Sequence, residues 1–157
     1  MKPAISTVCS LRAPLGSVLE DYAAGQCHTV ELWLGHAEQY LDGRPPEVLV
    51  ELFSKHCCEP IAATFQGGLL TSQGDARREH WSLFESRLAL CSAVSIPTLI
   101  LAGDVHGPLA PEDLGRLSRS LVEAAKRAAD QGVRLALEFD ARATFPNNLQ
   151  SAVALID

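Results

Sequence analysis

The sequence predicts an α/β fold of parallel strands alternating with helices. Two observations predict it: five short segments of strand character are separated by segments of helical character, and successive strands begin about 25 to 37 residues apart, the spacing of right-handed βαβ units. The predicted strands are Ala4 to Cys9, Thr29 to Leu34, Ile61 to Phe65, Thr98 to Ala102 and Arg134 to Phe139. Each is apolar or alternating and is bounded by polar or turn residues. The clearest helix runs from Pro111 to Gln131, with proline at its start and Glu112 and Asp113 in its first turn. Its apolar stripe is Leu114, Leu117, Leu121, Ala124, Ala125 and Ala128, and Gly132 ends it. The same rules give helices near Leu15 to Ala24, Pro46 to Cys57 and Ala76 to Ser95, and a last one that starts at Asn148 and is still running at Asp157.

Face assignment narrows the architecture. In the second strand Thr29, Glu31 and Trp33 share one face and aliphatic residues share the other. In the fifth, Arg134, Ala136 and Glu138 alternate with Leu135, Leu137 and Phe139; in the third, Thr64 and Gln66 alternate with Ala63 and Phe65. A doubly wound sheet carries helices on both faces and favours continuous aliphatic runs, whereas a barrel interior accepts polar groups near its C-terminal mouth. The alternation therefore favours a (β/α)8 barrel truncated to about five β/α units, forming a single partial-barrel domain over 1–157. Five β/α units also suit a non-catalytic flavodoxin-like binding module, but no phosphate loop follows the first strand and no acidic cluster gathers there.

Composition bounds the function. The chain has 157 residues, 47% of them hydrophobic, enough for a real core. Its net charge of -6 and scattered basic residues speak against nucleic acid and anionic membranes as partners. No apolar stretch reaches the roughly 20 residues of a membrane helix, and no secretory leader is read at the start. Five cysteines without C-x-x-C spacing fit a reducing cytoplasm.

Glu31, Gln66 and Glu138 lie at or near strand C-termini, where barrel enzymes keep their chemistry. Three segments together carry a resemblance. They are Gly132-Val133-Arg134-Leu135-Ala136-Leu137-Glu138-Phe139 followed by Phe145-Pro146-Asn147-Asn148, then Val30-Glu31-Leu32-Trp33, then Gln66-Gly67-Gly68-Leu69-Leu70. In this order the sequence resembles the xylose isomerase-like barrel superfamily of sugar-phosphate isomerases and epimerases, which includes inosose isomerases and dehydratases, tagatose epimerases and endonuclease IV.

The resemblance implies a sugar or sugar phosphate as substrate and a divalent metal (Mn, Zn, Co or Mg) as cofactor. It also implies that Glu138 is a metal ligand and catalytic residue. The family's other ligands, an aspartate, a histidine and a second glutamate, come from strands six to eight, which have no counterpart here. The expectation is a chain inactive until completed by a missing C-terminal half or paired in a homodimer.

Each candidate also has a plainer role. Glu138 is a metal ligand or a satisfied interior carboxylate, and Glu31 faces substrate or pairs with Arg134. Trp33 stacks on a sugar ring or fills the barrel. Gln66, with Gly67 and Gly68, bounds the pocket or merely makes a turn. His36, His80, His106, Asp104 and Asp140 also follow strands closely enough to reach the mouth, although solvated histidines and helix-capping aspartates are commoner.

Overall fold

A computed structural model describes residues 3–156; Asp157, where the last helix was expected to run, lies outside them. The strands are β1 (Ile5–Ser6), β2 (Thr29–Trp33), β3 (Glu59–Gln66), β4 (Thr98–Gly103) and β5 (Arg134–Phe139). The helices are α1 (Leu15–Ala24), α2 (Leu34–Leu41), α3 (Glu47–Lys55), α4 (Gly74–Ala93), α5 (Pro111–Asp130) and α6 (Leu149–Ile156). A 3-10 turn, Thr7–Ser10, follows β1. All strand pairs are parallel and the sheet order is β1-β2-β3-β4-β5. That sequential order is the order of barrel staves. It rules out the flavodoxin-like alternative, whose order is 2-1-3-4-5.

The aliphatic strand face meets the helices, as the alternation predicts. Val30, Leu32, Ala63, Leu99 and Leu101 are fully buried there, with Leu19, Leu49, Phe84, Leu88 and Leu117 from the helices. Four helices end in the same way, and the ending fixes how each strand begins. Gln26, Cys57, Ser95 and Gly132 take positive φ. The next residue, respectively Cys27, Cys58, Ile96 and Val133, donates its N–H to the carbonyl five positions earlier, at 2.8, 3.0, 2.8 and 2.9 Å. This is the Schellman arrangement, and the apolar residue just past the turn tucks under the helix it closes. The two cysteines thus hold the place that isoleucine and valine hold elsewhere. All five cysteines are free, and burial pushes the Cys91 thiol up to about 12.

Three expectations are corrected. The first strand is short because the Ser6 hydroxyl accepts the Val8 N–H and starts the 3-10 turn. Helix α2 was not foreseen: it begins directly at the end of β2 with no side-chain cap, so nothing polar marks its start. The third correction is the face of Gln66. Along β3 the register moves from Ala63↔Leu99 to Gln66↔Leu101, three residues against two, so a bulge reverses the alternation. Gln66 is consequently buried on the helix side, and Phe65 is left 47% exposed.

On that side Arg87 of α4 joins three elements. Its guanidinium donates to both carboxylate oxygens of Glu38 in α2 (2.7 and 3.2 Å), to the Phe65 carbonyl (2.9 Å) and to Gln66 Oε1 (3.3 Å). Exchange of Arg87 for methionine keeps the stem and removes every one of these bonds. Because Glu38 is partly solvated, screening limits the ion-pair share, and the expected cost is about 2 kcal/mol, read as a lower urea midpoint at unchanged slope.

Candidate functional site

The C-terminal ends of the strands form an open concave surface. On β2, Glu31 is half-buried and accepts a hydrogen bond from the Ser6 hydroxyl at 2.7 Å, its register partner on β1. It does not pair with Arg134, which lies three strands away and donates to Thr98 Oγ1 at 3.4 Å. Trp33 is held at both ends. Its N–H donates to Thr7 Oγ1 at 2.8 Å, and its indole meets the His36 ring edge-on with centroids 5.1 Å apart. Gly35 makes this fold-back possible, since a Cβ there would fall 2.6 Å from the indole.

Glu138 stands on the same concave face, next to Ala102 of β4. It is exposed and, among the described residues, takes part in no hydrogen bond or ion pair, so the interior-carboxylate alternative has no partner in support. Its position depends on a close approach. Gly103 pairs with Phe139, and a Cβ on Gly103 would lie 2.8 Å from the Glu138 carbonyl and 2.9 Å from the buried Pro146 ring. Backbone on one side and a packed ring on the other leave nothing flexible to yield. Gly103→Ala is therefore expected to cost about 1–3 kcal/mol and to displace the end of β5, seen as a lower melting temperature with amide shift changes centred on residues 138 to 140.

The remaining candidates divide. Asp104 braces the loop after β3: its Oδ2 accepts the Gly68 N–H at 2.7 Å, while Oδ1 is buried without a partner. The His80 ring rests on Gly68, its Nδ1 also buried and unpartnered. His36 is buried in the first turn of α2, and His106 is exposed. Asp140 closes a local loop with Arg142, whose side-chain bonds hold its carboxyl below the usual range. The sequence reading missed Arg87. A signal was available, because Arg87 falls within the buried stripe Trp81, Phe84, Leu88, Cys91 of α4, where a charge needs a partner.

Metal chemistry needs several donors on one point. Among the described residues no three histidine, cysteine, aspartate or glutamate side chains come together to hold an ion. Glu138 is a single carboxylate, and such sites take about four to six ligands. The residues present do not by themselves fit a divalent cation.

Comparison with known proteins agrees with this geometry. The chain is similar to the IolI protein solved with a bound zinc atom, at 20% identity and a TM-score of 0.88, covering 99% of this chain and 58% of that one. It is similar to the probable 3-DHS dehydratase AsbF, involved in petrobactin synthesis, from Bacillus anthracis, at 14% identity and a TM-score of 0.79, covering 99% and 58%. It is also similar to D-psicose 3-epimerase solved in the presence of D-fructose, at 20% identity and a TM-score of 0.70, covering 88% and 52%. No curated protein sequence matches. The chain thus spans less than two thirds of the length of these structures, and identities this low establish the fold alone. The model of one family, described as xylose isomerase-like TIM barrel, matches residues 22–157. With sequential parallel strands, helices on their aliphatic face and polar groups on the concave one, the chain belongs to the xylose isomerase-like TIM barrel family.

Proposed function

We propose that the chain provides the first five β/α units of a sugar or sugar-phosphate isomerase or epimerase. In this reading Glu138 is one carboxylate of a divalent metal site, for Mn, Zn, Co or Mg, which further β/α units complete. Isomerising or epimerising a keto sugar or inosose removes a proton from the carbon beside a carbonyl, which takes a base and a group that holds the enediolate charge. A divalent metal, once bound, would supply the second as a Lewis acid. The observation that carries the reading is the unengaged Glu138 carboxylate at the C-terminal end of an inner-face strand.

Glu31 and Trp33 line the substrate side. Glu31, fixed by Ser6, offers an acceptor to a sugar hydroxyl, and Trp33 offers a flat apolar face. Gln66, predicted for the same role, acts from behind the sheet by holding Arg87. The bound zinc of IolI and the epimerase among the similar structures favour this reading over a binding module. A reducing cytoplasm belongs to the same reading, with the cysteines free.

The chain alone is then catalytically silent, because one ligand does not hold the ion and the β5 edge lies open. The test is deuterium wash-in. The chain, alone or joined to a polypeptide carrying the remaining three β/α units of a related barrel, is incubated in D2O with zinc or manganese and a panel of ketoses, ketose phosphates and inososes. Deuterium should enter beside the carbonyl only with the joined protein. A folded, metal-loaded joined protein that exchanges none of them would overturn the proposal.

A further inference from the structure

Thiols gather at the start of β2 and β3, at the opposite end of the strands from Glu31 and Glu138. Cys27 and Cys58 are equivalent residues of adjacent units. Each is the first residue after the left-handed turn that closes a helix, α1 and α3 respectively, and each leads into the next strand. Register brings them side by side. Thr29 pairs with Glu59, the Glu59 N–H donates to the His28 carbonyl at 2.6 Å, and His28 Nδ1 donates to the Cys57 carbonyl at 3.1 Å. Carried back along this pair, a strand spacing of about 4.8 Å and an offset of one residue, about 3.3 Å, put the Cα atoms of Cys27 and Cys58 roughly 6 Å apart. Disulfides span Cα separations of about 4.4–6.8 Å.

The side chains meet the same elements. The Cys58 thiol lies 3.8 Å from the Leu19 carbonyl of α1, and the Cys27 N–H is bonded to the Tyr22 carbonyl one turn further along that helix. The Cys27 thiol lies 3.5 Å from the carbonyl of Thr29, the register partner of Glu59. Charge gives independent support. Burial raises the Cys58 thiol above its ordinary range, and Cys27 raises it further, ahead of Cys57, its own chain neighbour. Two thiols influence each other in this way only when they are close. Cys27 is half-buried, so a small reagent reaches it, whereas Cys58 is buried.

We infer that Cys27 and Cys58 form a reversible oxidation site, closed to a disulfide by a small-molecule disulfide such as oxidised glutathione. The Cys27 thiolate attacks one sulfur of the oxidant, whose S–S bond breaks and releases one glutathione thiol. Cys58 then gives up its proton and attacks the Cys27 sulfur of the mixed disulfide, releasing the second glutathione. Two protein thiols are oxidised and one glutathione disulfide is reduced to two thiols, so electrons and hydrogens balance. Burial of Cys58 makes the second step the slow one. In a reducing compartment such a bond is transient and serves to sense oxidant. It closes the excursion through α2 and α3 into a loop and ties the last turns of α1 and α3 together, away from the concave face and independently of the metal reading.

The experiment incubates the folded 157-residue chain with oxidised glutathione, quenches free thiols, digests without reductant and reads the peptides by mass spectrometry. The peptide that carries Cys27 should be joined to the one that carries Cys58, with the mass of two hydrogens lost, and dithiothreitol should part them. The oxidised chain should also unfold at a higher urea concentration than the reduced one. Valine suits position 58, because Val133 is buried at the equivalent place before β5. Cys58→Val should abolish the join and leave Cys27 carrying one glutathione, whereas Cys57→Ser, at an exposed position, should leave the join intact. Three results would each overturn the inference: no joined peptides in the folded chain under excess oxidant, a join that survives Cys58→Val, or a join lost in folded Cys57→Ser.

Discussion

Glu138→Ala in the joined barrel should reduce deuterium wash-in by about 1,000-fold, equivalent to roughly 4 kcal/mol of transition-state stabilisation. The size follows from what the residue does in this account. A metal site of about four ligands, completed by the joined units, would lose charge and affinity with this carboxylate. Glu138→Gln is the companion variant: it preserves shape and removes charge, and it should fall nearly as far. Glu138 is exposed in the isolated chain, so neither change should alter its stability by more than about 0.5 kcal/mol. A variant that keeps activity within threefold of the parent would remove Glu138 from the site.

Phe84→Ala should be the most damaging single change to the fold, at about 3–5 kcal/mol. Phe84 is fully buried at the middle of α4, the largest of the side chains with no exposure, and it packs edge-on against Trp81 with centroids 5.8 Å apart. Removing the ring forfeits its transfer energy, leaves a cavity that the strands behind it do not fill, and loses the aromatic contact as well. A domain of this size has about 5–15 kcal/mol in all, and this one leaves the edge of β5 unpaired. The variant should therefore unfold at a much lower denaturant concentration, and Trp81 fluorescence is a local reporter of the loss. A change below about 1 kcal/mol would mean that the α4 face is not packed as described.

Much of the fold was legible because its signals are local and periodic. Helix α1 and strand β5 fall where the pattern put them, and α5 begins at the predicted Pro111, where Asp113 also accepts the Ala110 N–H. Gly132 marks a left-handed turn that glycine favours, yet Gln26, Cys57 and Ser95 make the same turn with no such mark. Helix α2 escaped for a related reason, since its first residue, Leu34, reads equally well as the last residue of a strand. The site was legible only where alternation holds. On β2 and β5 the period of two places Glu31, Trp33 and Glu138 on one face. On β3 the bulge adds a residue, and no residue type within Thr64 to Gln66 announces it, so Gln66 and Phe65 exchanged sides.

Metal stoichiometry is the most direct test of the central claim, that this chain carries one ligand of a site completed by further β/α units. Zinc would be titrated calorimetrically into the 157-residue chain, into the joined barrel and into the joined barrel carrying Glu138→Ala. The expected result is weak or no binding by the chain, one tight equivalent in the joined barrel, and loss of that equivalent in the variant. A tight equivalent in the chain alone, or one in the joined barrel that survives Glu138→Ala, would contradict it.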